Sequence, residues 1–436
     1  MSESLERRIT LVFIAFFLLR YTRTIVGIYT FLRYKPKPLN HPPKFRTDDV
    51  TVIIPTTFKR PGDFVKCLNS IVACHPLQIF VVTAFSNVEL VNACVRLNSF
   101  DEVRVLGVER LNKRQQMIKA LKKVRSEIVV FADDDVFWPD SDYLGYLLAI
   151  FEDSTVGAGG TRQRAKRSQK PSLWNFLGIA YLERRVWNNV TTNAIDGSIS
   201  TLSGRTAAYR TEILKTEEFY DYFINDSWFG KQLNSDDDKC LTRYVYSRGW
   251  SIAIQFNSCS ARSHWRGNFT VMFKESYWRS WKHWWGLYVI YLGQFQTPAA
   301  AVDGIMFFLL NFTVAGRPEY SKVANLAFGF WIFLTKILKL IPHFCRHPRD
   351  IMFIPASILF SYLHGIINIY AACTLNVTTW GTQNLDKLAQ SRATDDSMVP
   401  LLRSAMSESD SSLESTPGRL TDGYDYFSVM PLVPME

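Results

Sequence analysis

The sequence predicts an α/β protein: a mainly parallel sheet fitted with transmembrane and interfacial helices. Three observations predict it. From residue 48, short β-branched apolar runs alternate with amphipathic stretches of helical spacing, the pattern of a parallel sheet covered on both faces. The fourth run ends in three consecutive carboxylates, Asp133, Asp134 and Asp135, at the kind of strand end where such sheets bind ligands. Long apolar stretches flank this region, at 9–32 and again beyond residue 298, and they have the reach of membrane helices.

Taken in order, 1–34 reads as a transmembrane segment, with its helix within 9–32 and an arginine, Arg20 or Arg23, able to snorkel to the interface. No small-residue cleavage site follows, so a signal peptide is not expected. More lysines and arginines follow this span than precede it. The positive-inside rule therefore places the next domain in the cytosol. Residues 35–47 hold Pro36, Pro38, Pro42 and Pro43 and form a stiff linker.

One α/β domain is expected over 48–260. Strands are predicted at 50–54, 79–83, 103–108 and 128–131, with helices at 61–73, 88–97 and 114–124 between them. Asp140 and Asp142 offer N-caps for a helix over 144–151. An aromatic region at 261–297 carries Trp278, Trp281, Trp284 and Trp285 at helical spacing among basic residues, and suits helices lying in the membrane interface. Three further spans are expected within 298–374, at 299–314, 323–341 and 351–373, with a basic loop at 343–349 on the inside. A segment at 375–390 contains Trp380-Gly-Thr382, and the tail from 391 to 436 should be disordered.

The formal charge of +10 is unevenly spread: the tail holds three basic and eight acidic residues, so the body is strongly basic. A basic body suits nucleic acid, anionic lipid or a phosphorylated substrate. No nucleic-acid-binding signature is present, so no nucleic-acid partner is expected. With 14% aromatic residues and 12 tryptophans, the composition fits a lipid bilayer as partner. The seven cysteines form no Cys-x-x-Cys pair and read as reduced thiols, not a disulfide frame or a zinc site.

The chemistry concentrates in a few places. Three adjacent acids repel one another, and a hard divalent cation, Mg²⁺ or Mn²⁺, removes that cost. Asp133 and Asp135 project to one side of an extended chain, where one ion can bridge the protein and a nucleotide diphosphate. A solvated acidic turn is the plainer alternative for the triplet taken alone. Pro55 and Thr56 lie at another strand end. Lys113 and Arg114 open the helix before the acidic strand, where a pair of cations backed by free amides can hold phosphate. Asp236, Asp237 and Asp238 begin another helix; N-capping needs only one acid, so one of them is available as a general base. Ser203-Gly204-Arg205 is a small turn that can approach a sugar closely. Residues 162–170 form a basic, polar stretch. Five Asn-x-Ser/Thr sequons occur, of which Asn311 and Asn376 fall near possible outer faces and are the glycosylation candidates.

Together these motifs resemble the membrane-embedded family 2 glycosyltransferases, hyaluronan-synthase-like enzymes above all, and among them the fungal type 2 glycosyltransferases of cell-surface polysaccharide. The likeness runs from about residue 50 to 381 and rests on Ile53-Ile-Pro-Thr56, Asn112-Lys-Arg114, Phe131-Ala-Asp-Asp-Asp-Val136, Leu202-Ser-Gly-Arg205 and Asp236-Asp-Asp-Lys-Cys-Leu-Thr242. It implies a glycosyltransferase A-type fold, a UDP-sugar donor, Mn²⁺ or Mg²⁺, a glycan acceptor and a multi-pass protein of the cell membrane with a cytosolic catalytic domain. By position, Asp133 and Asp135 correspond to the metal-binding pair. Pro55, Thr56, Lys113, Arg114 and Asp134 join them in binding the nucleotide sugar. Asp238 corresponds to the general base and Asp237 to its acidic neighbour, and Ser203, Gly204 and Arg205 to acceptor contacts. Two features depart from the pattern: the run at 79–83 lacks a following Asp, and the Gln-x-x-Arg-Trp motif is missing, with 256–260 standing in its place. Transfer to a lipid acceptor such as dolichyl phosphate or ceramide, and an inactive membrane scaffold of the same fold, are the alternatives.

Overall fold

The computed structural model describes residues 3–165, 172–228, 231–233, 237–261, 283–293, 296 and 298–373. Asp236, Asn376, Trp278, Trp281, the Trp380-Gly-Thr382 segment and the acidic tail lie outside these residues.

A long helix, α1 (Glu3–Arg33), precedes the alternating region. There follow β1 (Val50–Pro55), α2 (Pro61–Val72), β2 (Gln78–Ala84), α3 (Val88–Leu97), β3 (Val103–Val108), α4 (Lys113–Leu121) and β4 (Ile128–Ala132). Then come β5 (Val136–Phe137), α5 (Tyr143–Leu148), β6 (Val156–Arg164) and α6 (Leu173–Asp196). The domain closes with β7 (Thr206–Arg210), α7 (Thr211–Leu214), α8 (Glu217–Ile224), the two-residue strands β8 (Ser227–Trp228) and β9 (Lys231–Gln232), α9 (Asp237–Ser247) and β10 (Ser251–Ala261).

Eight strands form one sheet in the order β3-β2-β1-β4-β7-β6-β10-β5. The predicted alternation holds in its first half: β1 pairs in parallel with β2 and β4, and β2 with β3. The sheet then turns mixed, because β7 runs antiparallel between β4 and β6. Side chains alternate across β1 as the pleat requires. Val52 and Ile54 face a layer containing Phe64, Leu68, Val91 and Leu147, while Ile53 faces Met117, Leu121, Phe219 and Tyr244. All three strand residues have no solvent exposure, and burying each is worth about 1.5–3 kcal/mol. Both faces are thus closed, and ligands are left only the strand ends.

The helix after the acidic triplet begins at Tyr143, and of the two expected caps the Asp142 side chain makes none, whereas the Asp140 carboxylate accepts from the backbone amides of Asp142 and Tyr143. The amide of Tyr143 also donates to the carbonyl of Asp140. The motif reading passed over α6, a 24-residue helix ended by Gly197 in the left-handed region at φ 75°. Its apolar residues face several neighbours at once, which blurs any single-faced spacing. Trp187 fits against α1 at Gly27, where a Cβ would collide with the indole ring.

Beyond the sheet domain come α10 (Trp284–Gly286), α11 (Ala299–Leu310), α12 (Ser321–Leu338), α13 (Ile341–Arg346) and α14 (Ile354–Cys373). By length and composition, three described stretches are long and apolar enough to cross a membrane: Glu3–Arg33, Ser321–Leu338 and Pro348–Ile367. The stretch expected to span at 299–314 forms a helix of 12 residues, about 18 Å long, shorter than the roughly 30 Å of hydrocarbon. Arg20 does not snorkel. It turns into the bundle and meets Asp303 of α11 at 2.5 Å, and Tyr362 of α14 donates to the same carboxylate at 3.0 Å. A charge held among apolar helices keeps a partner because leaving it alone there is costly. Of the tryptophans expected in an interfacial helix, Trp284 is exposed and Trp285 is buried.

Candidate functional site

The antiparallel register of β4 and β7 builds the site. Ala132 lies opposite Thr206, so the residues just after β4 meet those just before β7. Accordingly, the amide of Asp133 donates to the carbonyl of Arg205 at 3.1 Å. The acidic triplet and the Ser203–Arg205 turn, 70 residues apart in sequence, become neighbours.

The second acidic group arrives on α9. The Thr242 hydroxyl donates to the carbonyl of Asp238 at 2.6 Å and accepts the amide of Leu202 at 2.9 Å. This pins the first turn of α9 to the Ser203 turn. A Cβ placed on Gly204 would lie 3.3 Å from the Cβ of Asp238, 3.5 Å from Oδ2 of Asp237 and 3.6 Å from Nζ of Lys113. The close approach there, not an unusual backbone angle, favours glycine.

Lys113 joins the two acidic groups. Its Nζ lies 2.8 Å from Oδ1 of Asp133 and 3.0 Å from Oδ2 of Asp237. Burial alone would lower the Lys113 ammonium, but the two carboxylates outweigh it and raise its pKa. Arg205 is the second cation. It donates to Gln163 Oε1 at 3.0 Å and to Ser203 Oγ at 3.4 Å. Burial and the nearby Arg185 lower its pKa, against the pull of Asp133, Asp135 and Asp238. Asp133, Asp135 and Asp238 thus all act electrostatically on this one guanidinium. Beside Ser203 a cavity opens, lined by Thr161, Gln163, Arg185, Asn189 and Leu202.

Asp134 sits deeper. It accepts the Thr56 hydroxyl at 2.5 Å. Burial pushes its carboxyl up to about 6, helped by Asp133 and Asp135 and opposed by the Thr56 hydrogen bond. Asp135 is also raised, first by burial and then by Asp133. Pro55 ends β1 in register with Val82, and Gln116 of α4 donates to the carbonyls of Thr56 and Val82 at 3.1 and 2.7 Å. Gln116 thereby ties the helix carrying Lys113 to the strand ends.

Five carboxylates (Asp133, Asp134, Asp135, Asp237 and Asp238) thus share this region with three cations, Lys113, Arg205 and the nearby Arg185. The excess of negative charge, with two carboxyls already pushed up, fits a divalent cation. Among the described residues no three acidic, histidine or cysteine side chains converge as a ready-made metal cage.

Arg114 does not join the cluster as expected. Adjacent residues on a helix diverge by about 100°, so Arg114 faces the interior when Lys113 faces the site. It is 1% exposed and donates to the carbonyl of Phe223 at 2.7 Å and to Asp226 at 3.2 Å. The free amides expected behind the basic pair are also engaged: Asn112 caps α4, accepting from the amides of Arg114 and Gln115 at 3.0 and 3.2 Å. Sequence reading missed Gln116, Thr242 and Asp226, polar residues whose roles depend on which strand ends meet. Of the glycosylation candidates, Asn311 is exposed after α11, its amide hydrogen-bonded to Phe307 and Asn325.

The profile of the family described as "Glycosyltransferase like family 2" matches residues 47–279. A type 2 glycosyltransferase of Pyricularia oryzae is 38% identical over 402 residues, covering 85% of this chain and 81% of its own length. One from Zymoseptoria tritici is 35% identical over 443 residues, covering 97% and 92%. A hyaluronan synthase of Streptococcus pyogenes is 25% identical over 370 residues, covering 77% and 83%. Among solved structures, a mannosyltransferase from Pyrobaculum calidifontis in complex with GDP-Man and Mn²⁺ is similar at a TM-score of 0.45 and 17% identity, covering 85% of this chain and 100% of that one. The mixed sheet with acids at the end of its fourth strand is a glycosyltransferase A-type fold, and the chain belongs to glycosyltransferase family 2.

Proposed function

We propose that this glycosyltransferase transfers a sugar from a UDP-sugar to a growing extracellular or cell-wall polysaccharide, with inversion at the anomeric carbon and with Mn²⁺ or Mg²⁺. The observation that carries the reading is the Lys113 bridge: one ammonium lies within 3.0 Å of a carboxylate from each acidic group, which supports their acting together.

Asp133 and Asp135 would hold the cation, with Asp134 and Thr56 supporting the turn between them. A divalent ion bound there supplies positive charge to the departing diphosphate. Lys113 is placed to share that task. Asp238 takes the proton of the acceptor hydroxyl as its oxygen forms the new bond to the anomeric carbon. The bond from that carbon to the diphosphate oxygen breaks, and UDP leaves with the electron pair. Asp237, held by Lys113, supports Asp238. Ser203, Gly204 and Arg205 would contact the acceptor.

Three described helical stretches of membrane-crossing length and the basic loop at 343–349 support a multi-pass protein of the cell membrane with its catalytic domain in the cytosol. The test is a radiolabelled UDP-sugar assay on membranes, followed by product extraction. Asp238→Asn and Asp135→Asn should each lower incorporation by about 10³-fold or more. Wild-type turnover in both variants would reject these roles. A lipid-soluble product in place of a polymer would reject the polysaccharide acceptor.

A further inference from the structure

The buried carboxylate of Asp226 has no place in the chemistry above, yet it stands between two helices that do. Its Oδ2 accepts from Arg114 Nη2 of α4 at 3.2 Å and from Arg243 Nη2 of α9 at 3.1 Å. The side chains of Asp226, Arg114 and Arg243 are only 2%, 2% and 5% exposed. Arg114 immediately follows Lys113, and Arg243 lies on the helix that begins with Asp237 and Asp238. The ion triad therefore links the helix that begins with Lys113 to the helix that begins with Asp237.

The preceding helix reinforces the joint. From α8, Phe223 stacks under the Arg114 guanidinium at 5.0 Å and Tyr220 under Lys122, which caps α4, also at 5.0 Å. Toward α9, Phe219 and Tyr222 meet Tyr244 at 5.0 and 5.1 Å. Thus α8 is wedged between the two helices, and Asp226, two residues beyond its end, ties them by charge. Arginine suits this joint because its rigid fork fixes direction as well as distance. A buried ion triad adds little net stability, but it makes one arrangement of its neighbours much better than others.

We propose that Asp226 is a positioning residue: it fixes the α4 helix start, which carries Lys113, against the α9 helix start, which carries Asp237 and Asp238. It thereby sets the placement of the base relative to the donor diphosphate. This rests on the reading that Lys113 and Asp238 serve the transfer. Each helix keeps its own ligand contacts when the tie is loosened, so the loss falls on turnover rather than on donor binding.

The experiment uses the full chain in detergent with Mn²⁺ and a donor that the wild type turns over. Asp226→Asn is expected to lower kcat about 10–100-fold per folded molecule, since displacements near 1 Å cost that much. Donor KM should stay within about threefold. In a Lys113→Ala background the same change should cost less than about threefold, because the two act as one unit. An activity-independent arm joins Lys113→Cys and Asp237→Cys with a short bifunctional thiol reagent. Its yield in folded protein should fall about fivefold or more when Asp226→Asn is added, if the two helix starts drift apart by an ångström or so. Should Asp226→Asn not fold, Arg243→Lys keeps the charge, loosens the fork and should show the same split between kcat and KM. Wild-type kcat in the folded variants, or unchanged cross-linking, overturns the proposal. A wild type that binds no UDP with Mn²⁺ in calorimetry refutes the donor reading instead, and the cross-linking arm then decides the tie.

Discussion

Lys113 and Arg114 stand side by side in the sequence as an apparently matched basic pair, and the fold gives them opposite surroundings. Lys113 is about one-third exposed between two site carboxylates, whereas Arg114 is buried against Asp226. The two should fail differently. Lys113→Ala is expected to lower transfer about 10–1,000-fold with little loss of stability, as removal of one charge-stabilising donor does. Arg114→Ala breaks a buried pair and should cost about 3–5 kcal/mol of unfolding free energy. Thermal melts set beside rates per folded molecule distinguish the two. Gly204 makes a related point. A methyl there would already be 3.3 Å from the Asp238 Cβ, and the larger Gly204→Val intrudes between Asp238, Asp237 and Lys113. Its kcat/KM should fall about 100-fold or more, as a misplacement near 1 Å does. An equal loss in Gly204→Ala, where neighbours need give only slightly, would sink that account.

At the scale of elements, α6 is held to β6 and α13 by charge. Glu183 accepts from Arg162 of β6 at 2.6 Å and from Arg346 of α13 at 2.9 Å. Burial would raise the Glu183 carboxyl, but the two guanidiniums outweigh it and bring it down to about 2, from an ordinary value of 4.5. The sign follows from that depression. The stabilisation is fully present above pH 4.5 and is lost as pH falls from 4.5 toward 2. Glu183→Gln should therefore destabilise by on the order of 3 kcal/mol at pH 7. The gap to wild type should narrow at pH values below 4.5. Denaturant melts at neutral pH and near pH 3.5 read this; a gap that stays constant rules it out. The alternating strands and helices up to β4 were legible because each carries a short, self-contained period. By contrast, α6 packs against α1, α14, β6 and β10, and no one face of it is apolar enough to announce a helix.

For the whole molecule, two ion pairs mark the ends of the helical bundle. Arg346 reaches Glu183 beside β6, so the connection between α12 and α14 lies on the side of the catalytic domain. Glu6, at the start of α1, meets Arg317, between α11 and α12, at 2.7 Å, which gathers those segments at the other end. Under the proposed orientation, a membrane-impermeant thiol reagent should reach the exposed Cys345 only after cells are permeabilised. Labelling of intact cells at that residue would reverse the proposed orientation. The sequence by itself determined the parallel half of the sheet, the acids at its edge and the apolar segments, because pleat, helix turn and bilayer thickness are local rulers. Only the tertiary structure decided that Asp133 meets Arg205, that Lys113 spans two acidic groups and that Arg114 serves Asp226. Those facts depend on an antiparallel strand inserted between β4 and β6 and on a helix wedged between two others. Such contacts join residues far apart along the chain, and no spacing within a short window encodes them.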